Sequence, residues 1–110
     1  MKTKHFLPFA IVALLAIANS TFAQDGQWAK DHPRRSEVNS RLANQHARID
    51  NKEANGKMST AEASKLHRED HTIRKEERNM ASRDNGHITK RDQARLNRQE
   101  NHVSRQIRRH

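Results

Sequence analysis

Two histidines stand four residues apart in His67-Arg68-Glu69-Asp70-His71. On a helix that spacing puts both imidazoles on one face, one turn apart. Such a pair can grip zinc, nickel or copper, and His46 or His102 could complete the shell. A second donor set carries oxygen: Asn51, Glu53 and Asn55 alternate ahead of Gly56, and Glu62 follows. That order suits a calcium ion held by side-chain oxygens. Beyond these groups the chemistry is thin. The chain has no cysteine, no Gly-x-Ser-x-Gly turn and no glycine loop of the phosphate-binding kind. Its paired carboxylates are neighbours on helical segments. The sequence therefore points away from an enzyme. It calls for no cofactor beyond a weakly held zinc or calcium ion.

Charge carries the second signal. Twenty-two Lys and Arg face 13 Asp and Glu, a formal net charge of +9. Residues 83–110 alone hold eight basic residues against three acids. Such a surface favours an acidic protein, a polyanion or a partly unfolded client. The expected contacts are Arg91, Arg95, Arg98, Arg105, Arg108 and Arg109. Trp28 is the only Phe, Trp or Tyr after residue 23, so no stacking platform for bases exists and specific nucleic-acid recognition is not expected.

Residues 1–23 read as a secretory signal peptide. Lys2 and Lys4 precede the apolar run Phe6–Ala18, and Thr21-Phe22-Ala23 offers small residues at the cut. The run is short for a membrane span, and none is expected after cleavage near Ala23. The expected destination is the periplasm or the exterior. Loss of the segment leaves 20 basic and 13 acidic residues, a net +7. An exported chain of this size without cysteine has no disulfide to hold it. Its large apolar residues are few, so one small domain is the ceiling and a buried catalytic cavity is not expected.

Three helices must position these groups, near 34–54, 60–83 and 90–108. Residues 24–32 read as a flexible tail. Pro33 suits a first helical turn. Val38, Leu42 and Ile49 form a stripe with Gln45 in its gap, and Glu37 and Arg41 are spaced to pair. Leu66, Ile73 and Met80 recur every seven residues, with Asp70 spaced to pair with Arg74. Leu96, Val103 and Ile107 serve the last helix. The joints repeat after thirty residues: Asn55-Gly56-x-Met58-Ser59-x-x-Glu62 returns as Asn85-Gly86-x-Ile88-Thr89-x-x-Asp92. Each joint offers a turn glycine and a capping box, the second the poorer because its acid is Asp.

The segments Asp31–Asn39, Ile73–Met80 and Gly86–Asn101 resemble a group of small exported bacterial proteins of unknown function with a repeated Gly-x-Ile/Leu-Thr helix junction. That resemblance implies Gram-negative export and helix–loop–helix organisation, and it brings no catalytic residues. Asn51–Glu62 is similar to a degenerate EF-hand loop, with Asn51, Glu53, Asn55 and Glu62 at ligand positions. Ile88-Thr89-Lys90-Arg91-Asp92 more distantly resembles the Leu-Thr-x-x-Gln motif of the CpxP/Spy periplasmic chaperones, with Gln93 one residue late. The fold class expected is all-α: three helices joined by two Gly-containing turns, an open or hairpin-like helix–loop–helix repeat with a thin apolar seam. Residues 33–110 form its single domain, with joints at 55–62 and 85–92. The function expected is non-enzymatic binding of acidic or partly unfolded partners, with metal binding or buffering as the alternative.

Overall fold

The computed structural model describes residues 26–110. The signal-peptide reading of residues 1–23 lies outside them. Every regular element is a helix, and no strand occurs among the described residues. There are four helices: α1 (26–31), α2 (Pro33–Ala54), α3 (Thr60–Ser82) and α4 (Lys90–Arg108). The count of three is thus corrected by α1, which falls within the stretch 24–32 that the sequence reads as a tail. Within it, the Gln27 side-chain amide donates to the Asp31 carboxylate four residues on, at 3.3 Å. Such a pair supports helix in a segment whose composition alone reads as a tail. None of the described helices is long and apolar enough to cross a membrane.

Residues His32–His110 form one compact unit. In it α2, α3 and α4 each pack on both others. The arrangement is a closed three-helix bundle, not an open or hairpin-like one. The reason lies in a pattern the three helices share. Core side chains fall at the same offsets in each: Val38, Leu42, Gln45 and Ile49; Leu66, Asp70, Ile73 and Glu77; Leu96, Glu100, Val103 and Ile107. Steps of four, three and four residues keep each set on one face about one-third of the helix circumference wide. Three such faces close on one another. Met58 and Ile88, each two residues past a turn glycine, are buried with this core.

The two joints are not alike. At the first, Gly56 adopts φ 75° and Lys57 N–H bonds to the Lys52 carbonyl at 2.8 Å while Gly56 N–H bonds to Glu53. That is a Schellman ending with glycine in the left-handed position. At the second, Asn85 takes the left-handed φ of 54° and Gly86 follows at φ 90°. Gly86 N–H closes on the Ala81 carbonyl at 2.8 Å.

The caps also reverse expectation. Ser59 accepts from the Glu62 amide at 3.1 Å, but the Glu62 carboxylate lies 3.8 Å from His110 and does not return to Ser59. The Thr89–Asp92 box is complete: the Asp92 amide donates to Thr89 Oγ1 at 3.0 Å and the Thr89 amide to Asp92 Oδ2 at 3.2 Å. The shorter side chain of Asp92 fits the box that the longer glutamate leaves open. Thr89→Ala should therefore cost about 1 kcal/mol of unfolding free energy, read from urea titrations followed by circular dichroism. An unchanged midpoint would count against the cap.

Candidate functional site

The polar residues at core offsets are the least expected feature. Gln45, Asp70, Glu77 and Glu100 are all buried. Gln45, Asp70 and Glu100 lie at similar distances from the joints that link their helices. Antiparallel neighbours rising 1.5 Å per residue therefore bring them to a common height, near the middle of the bundle. Gln45 Nε2 donates to the Glu100 backbone carbonyl at 2.7 Å. Arg41 Nη1 approaches Glu100 Oε1 at 3.5 Å and Arg41 Nη2 donates to Asn101 Oδ1 at 2.6 Å. The amide of Asn97, oriented to satisfy its neighbours, donates to Glu37 and Glu100 at 3.2 and 3.1 Å. The spacing that offers Arg41 to Glu37 is thus used otherwise, because the buried Glu100 competes for the guanidinium. Burial pushes the Glu100 carboxyl up to about 8, against the pull of Arg41 and with the repulsion of Glu37, Asp70 and Glu77.

One level away, Glu77 is held by Arg35. The Arg35 Nε–Glu77 Oε2 distance is 2.7 Å, and Arg35 Nη1 also donates to the Gly86 carbonyl at 3.2 Å. Arg34 donates to the Ile88 carbonyl at 3.3 Å. The first turn of α2 thereby fastens the second joint.

Between α2 and α3 lies a cavity of about 250 Å³ lined by Leu42, His46, His67, Asp70, His71 and Arg74. Asp70 is 5% exposed, and neither carboxylate oxygen has a hydrogen-bond partner among the described residues. Burial raises its carboxyl to about 7, with His67 and Arg74 pulling the other way. The expected Asp70–Arg74 pair does not form: Asp70 faces the core, and its neighbour four residues on lines the cavity without closing on it. His67 Nε2 lies 2.8 Å from Asp50 Oδ1, and the His67 ring meets His46 edge-to-face at 4.1 Å between centroids. Burial and the nearby His67 lower the pKa of His46.

The sequence-derived donor sets fare differently. The structure brings His67 and His71 to one cavity and adds His46, while His102 lies elsewhere, on the groove between α3 and α4. The oxygen set does not make a loop. Asn51 and Glu53 belong to α2, which runs to Ala54, Asn55 caps it, and Glu62 sits in the first turn of α3. Seven of the twelve residues are helical, so the chain cannot wrap an ion as an EF-hand loop does. As the side chains stand, no three His, Asp or Glu groups among the described residues could share a metal ion.

Five arginines of the last helix and Arg109 at its C-cap are all exposed, and none is in an ion pair with a described residue. Five of them form a stripe. Arg91, Arg98 and Arg105 recur every seven residues, and so do Arg95, His102 and Arg109. At about 100° per residue both rows fall within roughly 80° of arc, almost opposite the buried Leu96, Glu100, Val103 and Ile107. The stripe is roughly 27 Å long. Arg108 lies on its flank, outside both rows.

No family model, curated protein or solved structure matches this chain. Two places stand out among the described residues, the arginine stripe and the histidine–aspartate cavity. The sequence signals the stripe directly. It does not announce the cavity, since Asp70 and Glu100 stand at equivalent places in the thirty-residue repeat yet look like surface acids until the core is known.

Proposed function

We propose that this is a non-enzymatic, exported binding protein that meets an acidic partner through the outer face of α4. The observation that carries the reading is the stripe of Arg91, Arg95, Arg98, Arg105 and Arg109, exposed and without carboxylate partners among the described residues, on the side of the helix away from the core. Five cations along roughly 27 Å suit an extended polyanion or a charged surface better than a compact pocket ligand. Screening over about 8 Å at physiological ionic strength requires close contact, so binding is salt-sensitive.

A second observation extends the partner to a partly unfolded chain. The groove of about 370 Å³ between α3 and α4 has Ile73 and Val103 on its floor and Glu69, Glu76, Arg98 and His102 around it. An apolar floor beside charged groups can take a short extended segment, and Arg98 belongs to both surfaces.

Replacing Arg91, Arg95 and Arg98 by glutamine should weaken binding to immobilised heparin and lower the slope of log affinity against log salt by roughly two to three. The three positions are exposed, so the circular-dichroism melting curve should hold. Undiminished heparin binding by the triple variant, or none by the unaltered chain at low salt, would sink the polyanion reading. Substituting Leu96 does not serve this purpose: it is fully buried, and its loss reports on folding.

A further inference from the structure

We propose that the cavity between α2 and α3 takes a divalent transition-metal ion, with the Asp70 carboxylate and His67 Nδ1 as its inner ligands and the imidazoles of His46 and His71 closing it from outside. The inference is independent of the arginine face. Its first support is Asp70. A carboxylate that is 95% buried, lines a cavity and lacks any hydrogen-bond partner among the described residues needs a proton or a cation. Its second support is His67. The Asp50 carboxylate can only accept, so His67 carries a proton on Nε2, and in the neutral form of the ring the lone pair lies on Nδ1. That Nδ1 is buried and has no partner either. A carboxylate that fixes one ring nitrogen while the other is left for the ion is the usual outer shell of a metal-binding histidine.

The donor chemistry narrows the class of ion. Imidazole nitrogen with one carboxylate oxygen suits zinc, nickel, cobalt or copper, and does not suit calcium or magnesium, which prefer all-oxygen shells. A neutral imidazole ring is the form that binds metal. The four side chains do not yet converge on one point. The two that must turn inward, His46 and His71, are exposed, and exposed side chains change rotamer in picoseconds to nanoseconds. The other two, the buried Asp70 and the half-buried His67, sit three residues apart on one helix and already line the cavity. Arg74 lines it too, is not ion-paired with a described residue, and has a stem long enough to carry its charge toward water.

The test is calorimetric titration of the full chain with nickel chloride and with zinc chloride at pH 7, in two buffers of different ionisation enthalpy. Cobalt(II) absorption provides a spectroscopic check. The expected result is one ion per chain, with protons released on binding. Asp70→Asn should weaken affinity by roughly tenfold or more and reduce the proton release, and His67→Ala should weaken affinity at least as much. His102→Ala, outside the cavity, should bind as the unaltered chain does. Asp70→Asn keeps the side-chain shape and removes a buried charge, so its helical circular-dichroism signal should persist. The proposal is overturned if the unaltered chain shows no saturable one-ion binding. It is equally overturned if the Asp70→Asn, His67→Ala double variant binds with unchanged affinity, which would assign the metal to scattered surface histidines.

Discussion

Arg35→Ala should lower the unfolding free energy of this bundle by about 3–5 kcal/mol, because it strands the Glu77 carboxylate in the core. Glu77 is 1% exposed, and Arg35 holds it at 2.7 Å. The same guanidinium donates to the Gly86 carbonyl, so its loss also removes one of the two bonds from α2 to the second joint and leaves Arg34 to Ile88. Domains are commonly stable by only about 5–15 kcal/mol, and the variant should be visibly less helical at room temperature. Replacing both partners, Arg35→Met with Glu77→Leu, should recover most of the loss, since no unpaired charge is then left behind. Urea titration of the single and double variants followed by circular dichroism measures both effects. A single-variant loss below about 1 kcal/mol would show that Glu77 finds water or another partner.

The second large effect is a stability that falls as pH rises from 4 to 8. Asp70 titrates at about 7 against an ordinary 3.8, and Glu100 at about 8 against 4.5. Between those limits the folded chain holds protons that the unfolded chain has released. The slope of unfolding free energy against pH is therefore negative, about 1.4 kcal/mol per pH unit for each group. The contribution is complete below the unfolded values. It declines from about pH 4 to 7 for Asp70 and from about 4.5 to 8 for Glu100, and is gone above that. His46, whose pKa is lowered, works in the opposite sense below its ordinary 6.5, but it is exposed and its share is small. Asp70→Asn and Glu100→Gln should each flatten the profile over its own window and raise stability at pH 8 by about 2–4 kcal/mol. Melting temperatures across this range decide the matter. A profile that rises toward pH 8, or variants that leave it unchanged, would mean that water or the neighbouring arginines already compensate the buried carboxylates.

Particular residues show how far the sequence carries. Its helical character is legible because Val38, Leu42, Ile49, Leu66, Ile73, Leu96, Val103 and Ile107 keep a helical period and no alternating β pattern competes. The closed packing is not legible, because the faces are completed by Gln45, Asp70, Glu77 and Glu100. Read one helix at a time, these residues look like breaks in a weak seam. Read together, they fill the same offsets as apolar residues on the neighbouring helices. Helix α1 escapes notice because six residues of mixed polarity carry no period. The arginine stripe is legible as a list of residues, and its shape follows from the heptad spacing of its two rows. The cavity needs α2 and α3 side by side: His46 and Asp50 are remote in sequence from His67, and only packing makes them neighbours.

The mid-height layer of Gln45, Asp70 and Glu100 has a consequence for how the helices can slide. Three helices with the same four-three-four spacing of core positions could mesh in more than one alignment, displaced by a turn. Moving α4 one turn along α2 would take Glu100 away from Arg41 and Gln45, and set it among aliphatic side chains. Each buried polar group left unsatisfied costs about 1–3 kcal/mol, and more when charged. A seam as sparse as this one gains too little from shifted apolar contacts to offset that. The polar layer therefore acts as a detent that gives a repetitive chain one preferred alignment.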